Sequence, residues 1–523
     1  MRTGLKGVNA ENLHWVQATV MMLDYFYCCG WTKPICVPMD PGLSPNQEEA
    51  IEILAQTIDR NIMVADQLPP TPKVKELLNS KKFDYMGSPI EHMQDLDAEK
   101  VIAAWPAEGS AGVKLITEFL EGEVLTAVSD PTGWWLQDDR MPLKRTRSRV
   151  RASDEVWYKI CKAAHARNMM RPVADSELHK DRNGHYITNG AGAVAKRKEV
   201  GGQVVEVQRF ISVLIPTNEH SVQLTGEQDS LPYVGQLTGV VLEEENDLYM
   251  ESEDFTSAFN LFAVPESWLP HFAFSKKVCA SAFGGTKGHE VRPALAVVPM
   301  GWHSAVALIQ AAVRNIVFTR CGVPRATSVE KGLPLPGTNE MTVVYLDNFD
   351  ELRKVRKFGS ELELGRASPA HQRFNEVCDE LGLSRNRAKQ LIMSLTGGIQ
   401  GGELDGKTGI LKVAKDKLLS FVAISLGMLQ SENWKEFHIR HWTGKAAFVA
   451  AFRRPLFAIL ESVFPCIRDS VKADVRPGWK EAEEILSFMI LADGGQNFHY
   501  QKAVLEGPGE LNFNKKSAFP NRA

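Results

Sequence analysis

Two aspartates in this sequence close apolar runs. Asp254 lies in Glu253-Asp254-Phe255-Thr256-Ser257-Ala258-Phe259, and Asp347 in Val343-Val344-Tyr345-Leu346-Asp347-Asn348-Phe349, 93 residues further on. A carboxylate at the end of a buried strand is costly unless a cation pairs with it. Hard oxygen donors suit a divalent ion of the Mg2+ or Mn2+ kind. Two such ions about 4 Å apart can activate a hydroxyl nucleophile and stabilise a departing pyrophosphate. Between the two aspartates, Val298-Pro299-Met300-Gly301-Trp302 forms a turn that opens the helical stretch Ser304–Val313.

Each residue also has a plainer reading. Asp254 fits a helix N-cap, and Asp347 fits an acidic turn shared with Asn348 and Asp350. Phe259 taken alone fits the core, Gly301 a turn glycine, and Lys389 a surface lysine. The order of the patterns separates the readings better than any one of them.

The elements that must position these residues come from a chain of 523 residues, enough for three or four domains. With 44% hydrophobic and 24% charged residues it can bury a sizeable core, and general disorder is excluded. The eight cysteines show no paired zinc spacing and no disulfide framework. No run of about eighteen apolar residues suggests a membrane span, and Arg2 and Lys6 precede no clean apolar segment. These features fit an intracellular protein, cytoplasmic or nuclear and not secreted. Net charge is −4, yet residues 131–200 hold fifteen Lys and Arg against eight Asp and Glu. The run Lys144-Arg145-Thr146-Arg147-Ser148-Arg149-Val150-Arg151 suits phosphate contacts or a solvated linker.

Along the chain, residues 1–130 read as an α-rich extension, with amphipathic segments near Gln47–Arg60 and Gly112–Leu125. Ser153 caps a helix over Asp154–Met170. A Gly-rich connection leads into the strand-like run Val204–Pro216, and short strands then alternate with helices to about Tyr345. Residues 371–470 read as mostly helical, with a Gly-rich reversal at Gly397–Gly409, and the last fifty or so as a poorly ordered tail.

The order of patterns resembles the palm of reverse transcriptases encoded by retroelements. In that family an aspartate with an aromatic five residues on is followed by a Pro-x-Gly turn, a helix and a Tyr-x-Asp-Asp hairpin. Asp254, Phe259, Pro299-Met300-Gly301-Trp302 and Tyr345-Leu346-Asp347 occupy those places. Lys196-Arg197-Lys198 and Arg209 resemble the fingers segment that meets the triphosphate, and Leu381-Gly382-Leu383 with Lys389 resembles the motif after the palm hairpin. The likeness covers roughly residues 131–470. It implies an α+β right-hand polymerase fold with an α-rich N-terminal extension. Basic entry helix and fingers would span 131–250, a palm of β-sheet backed by helices 251–400, a helical thumb and connection 401–470, and the tail 471–523.

The resemblance implies an RNA-directed DNA polymerase, a nucleotidyltransferase of retrotransposon origin, using Mg2+ or Mn2+, an RNA template, a DNA primer and deoxynucleoside triphosphates, with no membrane partner. Asp254, Asp347 and Lys389 would be catalytic. Asp254, Asp347 and Asn348 would hold metal, and Lys196, Lys198, Arg209, Phe255, Phe259, Met300 and Gly301 would meet the nucleotide. Phe259 would exclude a 2′-hydroxyl, and Lys389 would protonate the leaving pyrophosphate. Trp442-Thr443-Gly444-Lys445 and Arg453-Arg454-Pro455 would grip duplex backbone.

One departure stands out. Where the family carries its second hairpin aspartate, this chain has Asn348. Asparagine keeps an oxygen ligand and loses a charge, so weak activity that Asn348→Asp raises is expected, or else a catalytically dead, nucleic-acid-binding relative. Asp350, three residues after Asp347, is expected by strand alternation on the wrong face to help, or beyond the turn. No aspartic-protease motif and no zinc knuckle occurs, and the residues after 470 are expected to be too few for a ribonuclease H domain.

Overall fold

The computed structural model describes residues 93–497, apart from 138–139, 144–145, 201–202, 225, 358–365, 432, 471–473 and 493–495. The readings at Gln47–Arg60, Lys144 and Arg145 fall outside the described residues, as does most of the N-terminal extension. The described residues form a mixed α+β structure, as expected. No helix among them is long and apolar enough to cross a membrane.

Helix α1, Asp154–Ala166, starts where Ser153 accepts the Val156 N–H at 3.2 Å, and it buries Trp157, Ile160, Cys161 and Ala164. The segment 112–125 departs from the helical expectation. Gly112 and Gly122 take φ of +59° and +55°, which breaks the segment into a short 3-10 turn, Ile116–Phe119, and an α-helix, Gly122–Ser129. Strands β1, Gly190–Val200, and β2, Gln203–Val213, pair antiparallel as a long hairpin. The basic run is laid along it: Arg151 N–H donates to Ala191 O, Ala191 N–H to Arg149 O, and Arg151 Nη1 to Met93 O. So part of this run is a structural edge of the hairpin. Helix α2, Ile215–His220, follows directly.

Next come β3, Asn246–Asp254; α3, Ala305–Arg314; β4, Glu340–Tyr345; β5, Asn348–Arg356; α4, Pro369–Leu381; and β6, Leu391–Ser394. The strands assemble as one sheet in the order β6-β3-β5-β4. Register fixes its two faces, because directly opposed residues point the same way. Asp254 opposes Asn348, Ser252 opposes Asp350, Met250 opposes Leu352, and Tyr345 opposes Asn348. The other face carries Glu251, Glu253, Val344, Phe349 and Glu351, covered by Phe374, Val377 and Cys378 of α4 within the larger core.

The first face descends from its acidic end into a second core. There Leu248, Met250, Val343 and Leu352 meet the sheet of β7, Thr396–Ile399, β8, Gly402–Asp405, β9, Ile410–Val413, and β10, Gln496–Asn497, with helices α5, Lys415–Gln430, α6, Glu436–Phe452, and α7, Trp479–Ala492. The Gly-rich reversal is a hairpin, so the thumb and connection region opens with strands β8 and β9 and turns helical at Lys415. The expectation of a poorly ordered tail fails. Within the segment read as a tail, α7 is a helix whose Ile485 and Phe488 are fully buried. Trp442 is also fully buried, its Nε1 donating to Ser425 Oγ at 2.8 Å, so its ring is core and cannot grip a duplex.

Candidate active site

Three acidic or amide side chains meet at one end of the sheet. β4 and β5 join through Leu346 and Asp347, a two-residue turn with Leu346 at φ +54°. A left-handed leucine is uncommon, and here the turn is held by its backbone. Gln310, fully buried on α3, accepts the Leu346 N–H at 2.9 Å and donates to Val344 O at 2.9 Å. The signal for Gln310 is readable in Ala-Val-Ala-Leu-Ile-Gln-Ala-Ala-Val: one polar residue in an apolar helix must find buried partners. Replacing it with leucine leaves that carbonyl and N–H unpaired. Gln310→Leu should therefore cost about 2–4 kcal/mol, read as a lower urea midpoint with an unchanged slope. A loss below about 0.5 kcal/mol would mean the turn stands without the clamp.

The end of β3 is fastened just as closely. Phe255 N–H donates to Asp347 O at 2.8 Å, Asn386 N–H to Asp254 O at 2.7 Å, and Thr256 N–H to Ser384 O at 2.9 Å. The segment 384–389 thereby brings Lys389 to Asp254, with Nζ 2.5 Å from Oδ2. Asp254 is largely buried while Lys389 is exposed. Burial raises the Asp347 carboxyl above its ordinary range, the Asp254 charge adds to this, and Lys389 opposes it. The structure thus gathers Asp254, Asp347, Asn348 and Lys389 into one cluster.

Asp350 corrects the alternation argument. The turn consumes Leu346 and Asp347, so the strand count restarts at Asn348 and places Asp350 on the same face as Asp254 and Asn348. It is 2% exposed and its Oδ1 accepts the Ser252 hydroxyl at 2.5 Å. Burial pushes its carboxyl up to about 7.

The remaining predicted residues divide. The Phe255 ring is buried against Phe374, with centroids 5.5 Å apart, so this residue offers a nucleotide no exposed ring and serves to position Asp347. Phe259 is half-buried at the edge of the larger core. Met300 is 47% exposed. Gly301 has φ +104°, and a Cβ there would lie 2.9 Å from Ser212 O, so the fold itself demands glycine. Ser212 Oγ donates to Met300 O at 2.5 Å, and Asn218 Nδ2 to Gly301 O at 2.9 Å, which joins this turn to the base of the β1–β2 hairpin. Arg209 shares a hairpin face with Lys196, and Lys198 opposes Val205 in register; of Lys198 only the backbone is described. Arg209 lies three residues above Ser212, about 10 Å along the strand, and the two lysines nearer the tip.

Behind the sheet lies a group that sequence reasoning missed. Glu251 and Glu351 oppose each other in register, and His371 Nδ1 is 3.1 Å from Glu351 Oε2 and 3.6 Å from Glu251 Oε2. Such donors within 4.8 Å could hold a metal. The carboxylates and His371 Nδ1 have partners without one: Ser368 N–H bonds both Glu251 oxygens at 3.0 Å, Ser368 Oγ bonds Glu351, and Arg353 approaches Glu251 at 3.9 Å, while His371 Nε2 is buried with no hydrogen-bond partner. Burial raises the Glu251 carboxyl above its ordinary range. Burial acts on Glu351 too, but the His371 and Ser368 hydrogen bonds outweigh it and leave that carboxyl lowered. With His371 stacked on Phe349 at 4.4 Å, the group reads as a joint fastening α4 beneath the hairpin.

The donors at the sheet's end fit a hard divalent cation: two carboxylates and an amide oxygen on adjoining strand ends, with an ammonium already seated on one of them.

No protein-family model and no curated protein matches the chain. Among solved structures it is similar to a foamy viral protease-reverse transcriptase in complex with double-stranded DNA, described as dRH (11% identity, TM-score 0.45, 80% of this chain and 63% of that one). A foamy viral protease-reverse transcriptase with an RNA/DNA hybrid gives 10% identity and TM-score 0.44 over 90% of this chain and 49% of that one. Another with double-stranded DNA gives 12% and 0.44 over 89% and 75%. The chain thus spans less than two thirds of the first two of these proteins.

Proposed function

We propose that this chain is a template-directed nucleotidyltransferase, an RNA-directed DNA polymerase of retroelement type. The observation that carries the reading is the convergence of Asp254 with Asp347 in the β4–β5 turn and Asn348 at the start of β5, with Lys389 on Asp254. RNA template, DNA primer and deoxynucleotides are what the resemblance of the motif order to retroelement reverse transcriptases implies. An intracellular setting is in keeping with the free thiols of Cys161, Cys279, Cys321, Cys378 and Cys466.

Mg2+ or Mn2+, when bound, would supply hydroxyl activation and neutralisation of phosphate charge. Asp254, Asp347 and the Asn348 amide oxygen are the residues to hold it. The reaction forms a bond from the primer 3′-oxygen to the α-phosphorus and breaks the bond to the β-phosphate. Lys389, exposed at the rim, gives its proton to the departing pyrophosphate. Arg209 offers a planar fork to the triphosphate, and Met300 with Gly301 borders the nucleotide. Primer extension on an RNA template with Mg2+ tests the reading, against a control carrying Asp254→Asn.

Asn348 and the Lys389–Asp254 ion pair also favour a second reading, a nucleic-acid-binding relative without turnover. Duplex binding with no extension, by the chain as it stands and by Asn348→Asp alike, would select it.

Phe259 provides a separate check. If its half-buried ring borders the sugar, Phe259→Ala should raise ribonucleotide use relative to deoxynucleotide use by roughly tenfold or more, the scale of a lost steric contact in a pocket. Unchanged discrimination by an active Phe259→Ala enzyme returns this ring to the core.

A further inference from the structure

Position 348 leaves the cluster one negative charge short, and one row deeper on the same face stands a carboxylate with no ion pair among the described residues. Asp350 opposes Ser252 and is the diagonal neighbour of Asp254. Diagonal residues of an antiparallel pair have Cβ atoms roughly 7 Å apart or less. Two carboxylates pointing from such positions can share one ion with bonds of about 2.1 Å.

Two of the sheet's buried acids, Asp350 and Glu253, carry no ion pair among the described residues, and Glu253 lies on the opposite face from the cluster. Glu251 and Glu351 are met by Ser368, His371 and Arg353, Glu253 by Gln390, and Asp254 by Lys389. Asp350 has the Ser252 hydroxyl and no ion pair among the described residues. A buried carboxylate without a cation is costly, and nothing in the packing of Met250, Val343 and Leu352 around it requires an acid.

We propose that Asp350 is a third carboxylate of the cation site, ligating from one row deeper the ion that Asp254 holds, in place of the charge missing at Asn348. This rests on reading the cluster as a cation site, and it changes the expectation for Asn348→Asp, which becomes a small gain.

The test is Mn2+ alone, added to the full chain without nucleotide or primer, with free Mn2+ followed by electron paramagnetic resonance. Asp350→Asn keeps the shape and the Ser252 hydrogen bond, and should weaken Mn2+ binding by roughly tenfold or more. Asn348→Asp added to that variant should restore it. Parent-like binding by Asp350→Asn, with binding lost in Asp254→Asn, would overturn the role of Asp350 and keep the cation site. No Mn2+ binding by the parent, or the same binding in Asp254→Asn as in the parent, would overturn both. If Asp350→Asn does not fold, judged by circular dichroism in chelator, Asn348→Asp alone decides. A gain within about threefold supports Asp350, and a gain of tenfold or more shows that the third carboxylate was missing.

Discussion

Primer extension by the chain carrying Asp254→Asn is expected to fall by at least about a thousandfold, while duplex binding persists. The substitution keeps the side chain's size and removes the charge that Lys389 meets at 2.5 Å. Charge stabilisation by a correctly held divalent ion is worth several kcal/mol in a transition state, and about 4 kcal/mol corresponds to a factor near a thousand. Asp347→Asn should behave alike, since its main-chain bond to Phe255 survives the change. Single-turnover extension and filter binding, measured on the same preparations, separate the two properties. Activity within tenfold of the parent would place the chemistry elsewhere, and joint loss of binding and activity would mean the fold had failed.

The second large effect concerns stability and pH. The Asp350 carboxyl rises from an ordinary 3.8 to about 7 on folding, through burial. The folded chain therefore holds this proton more tightly than the unfolded chain. Its contribution to stability is complete below pH 4 and is lost as pH rises toward 7. A move of this size is worth about 4 kcal/mol. In chelator, Asp350→Asn should thus stabilise the chain by several kcal/mol at pH 8 and by almost nothing at pH 4. Urea denaturation at the two values decides the matter. An equal difference at both would show that Asp350 exchanges no proton across this range.

Several of these features are legible in the amino-acid sequence by itself. Apolar strands ending in Asp254 and Asp347, a Pro-x-Gly turn and a following helix are local patterns, and local patterns survive in sequence. The α1 cap at Ser153 is legible for the same reason. What escapes depends on register or on tertiary burial. Alternation counted from Asp347, a turn residue, puts Asp350 on the wrong face; counted from Asn348, where β5 begins, it gives the right one. Glu251, Glu351 and His371 come together only because β3 and β5 pair in one register out of many. The polar company of Trp442 suggests an exposed ring, but Ser425 supplies its buried partner from another helix. Nothing local tells Phe255 from Phe259 as an exposed aromatic, because the helix bearing Phe374 that covers it is distant in sequence.

The Gln310 clamp has an implication for how this region can change over time. It grips the hairpin by the carbonyl of Val344 and the N–H of Leu346, atoms that nearly every amino acid possesses. The clamp is therefore indifferent to which side chains positions 347 and 348 display. An exchange such as aspartate for asparagine at 348 alters the charge on display and leaves its address unchanged. The hairpin can gain or lose chemistry by single substitutions while Gln310, buried beneath the turn, keeps the place ready for whichever side chain arrives.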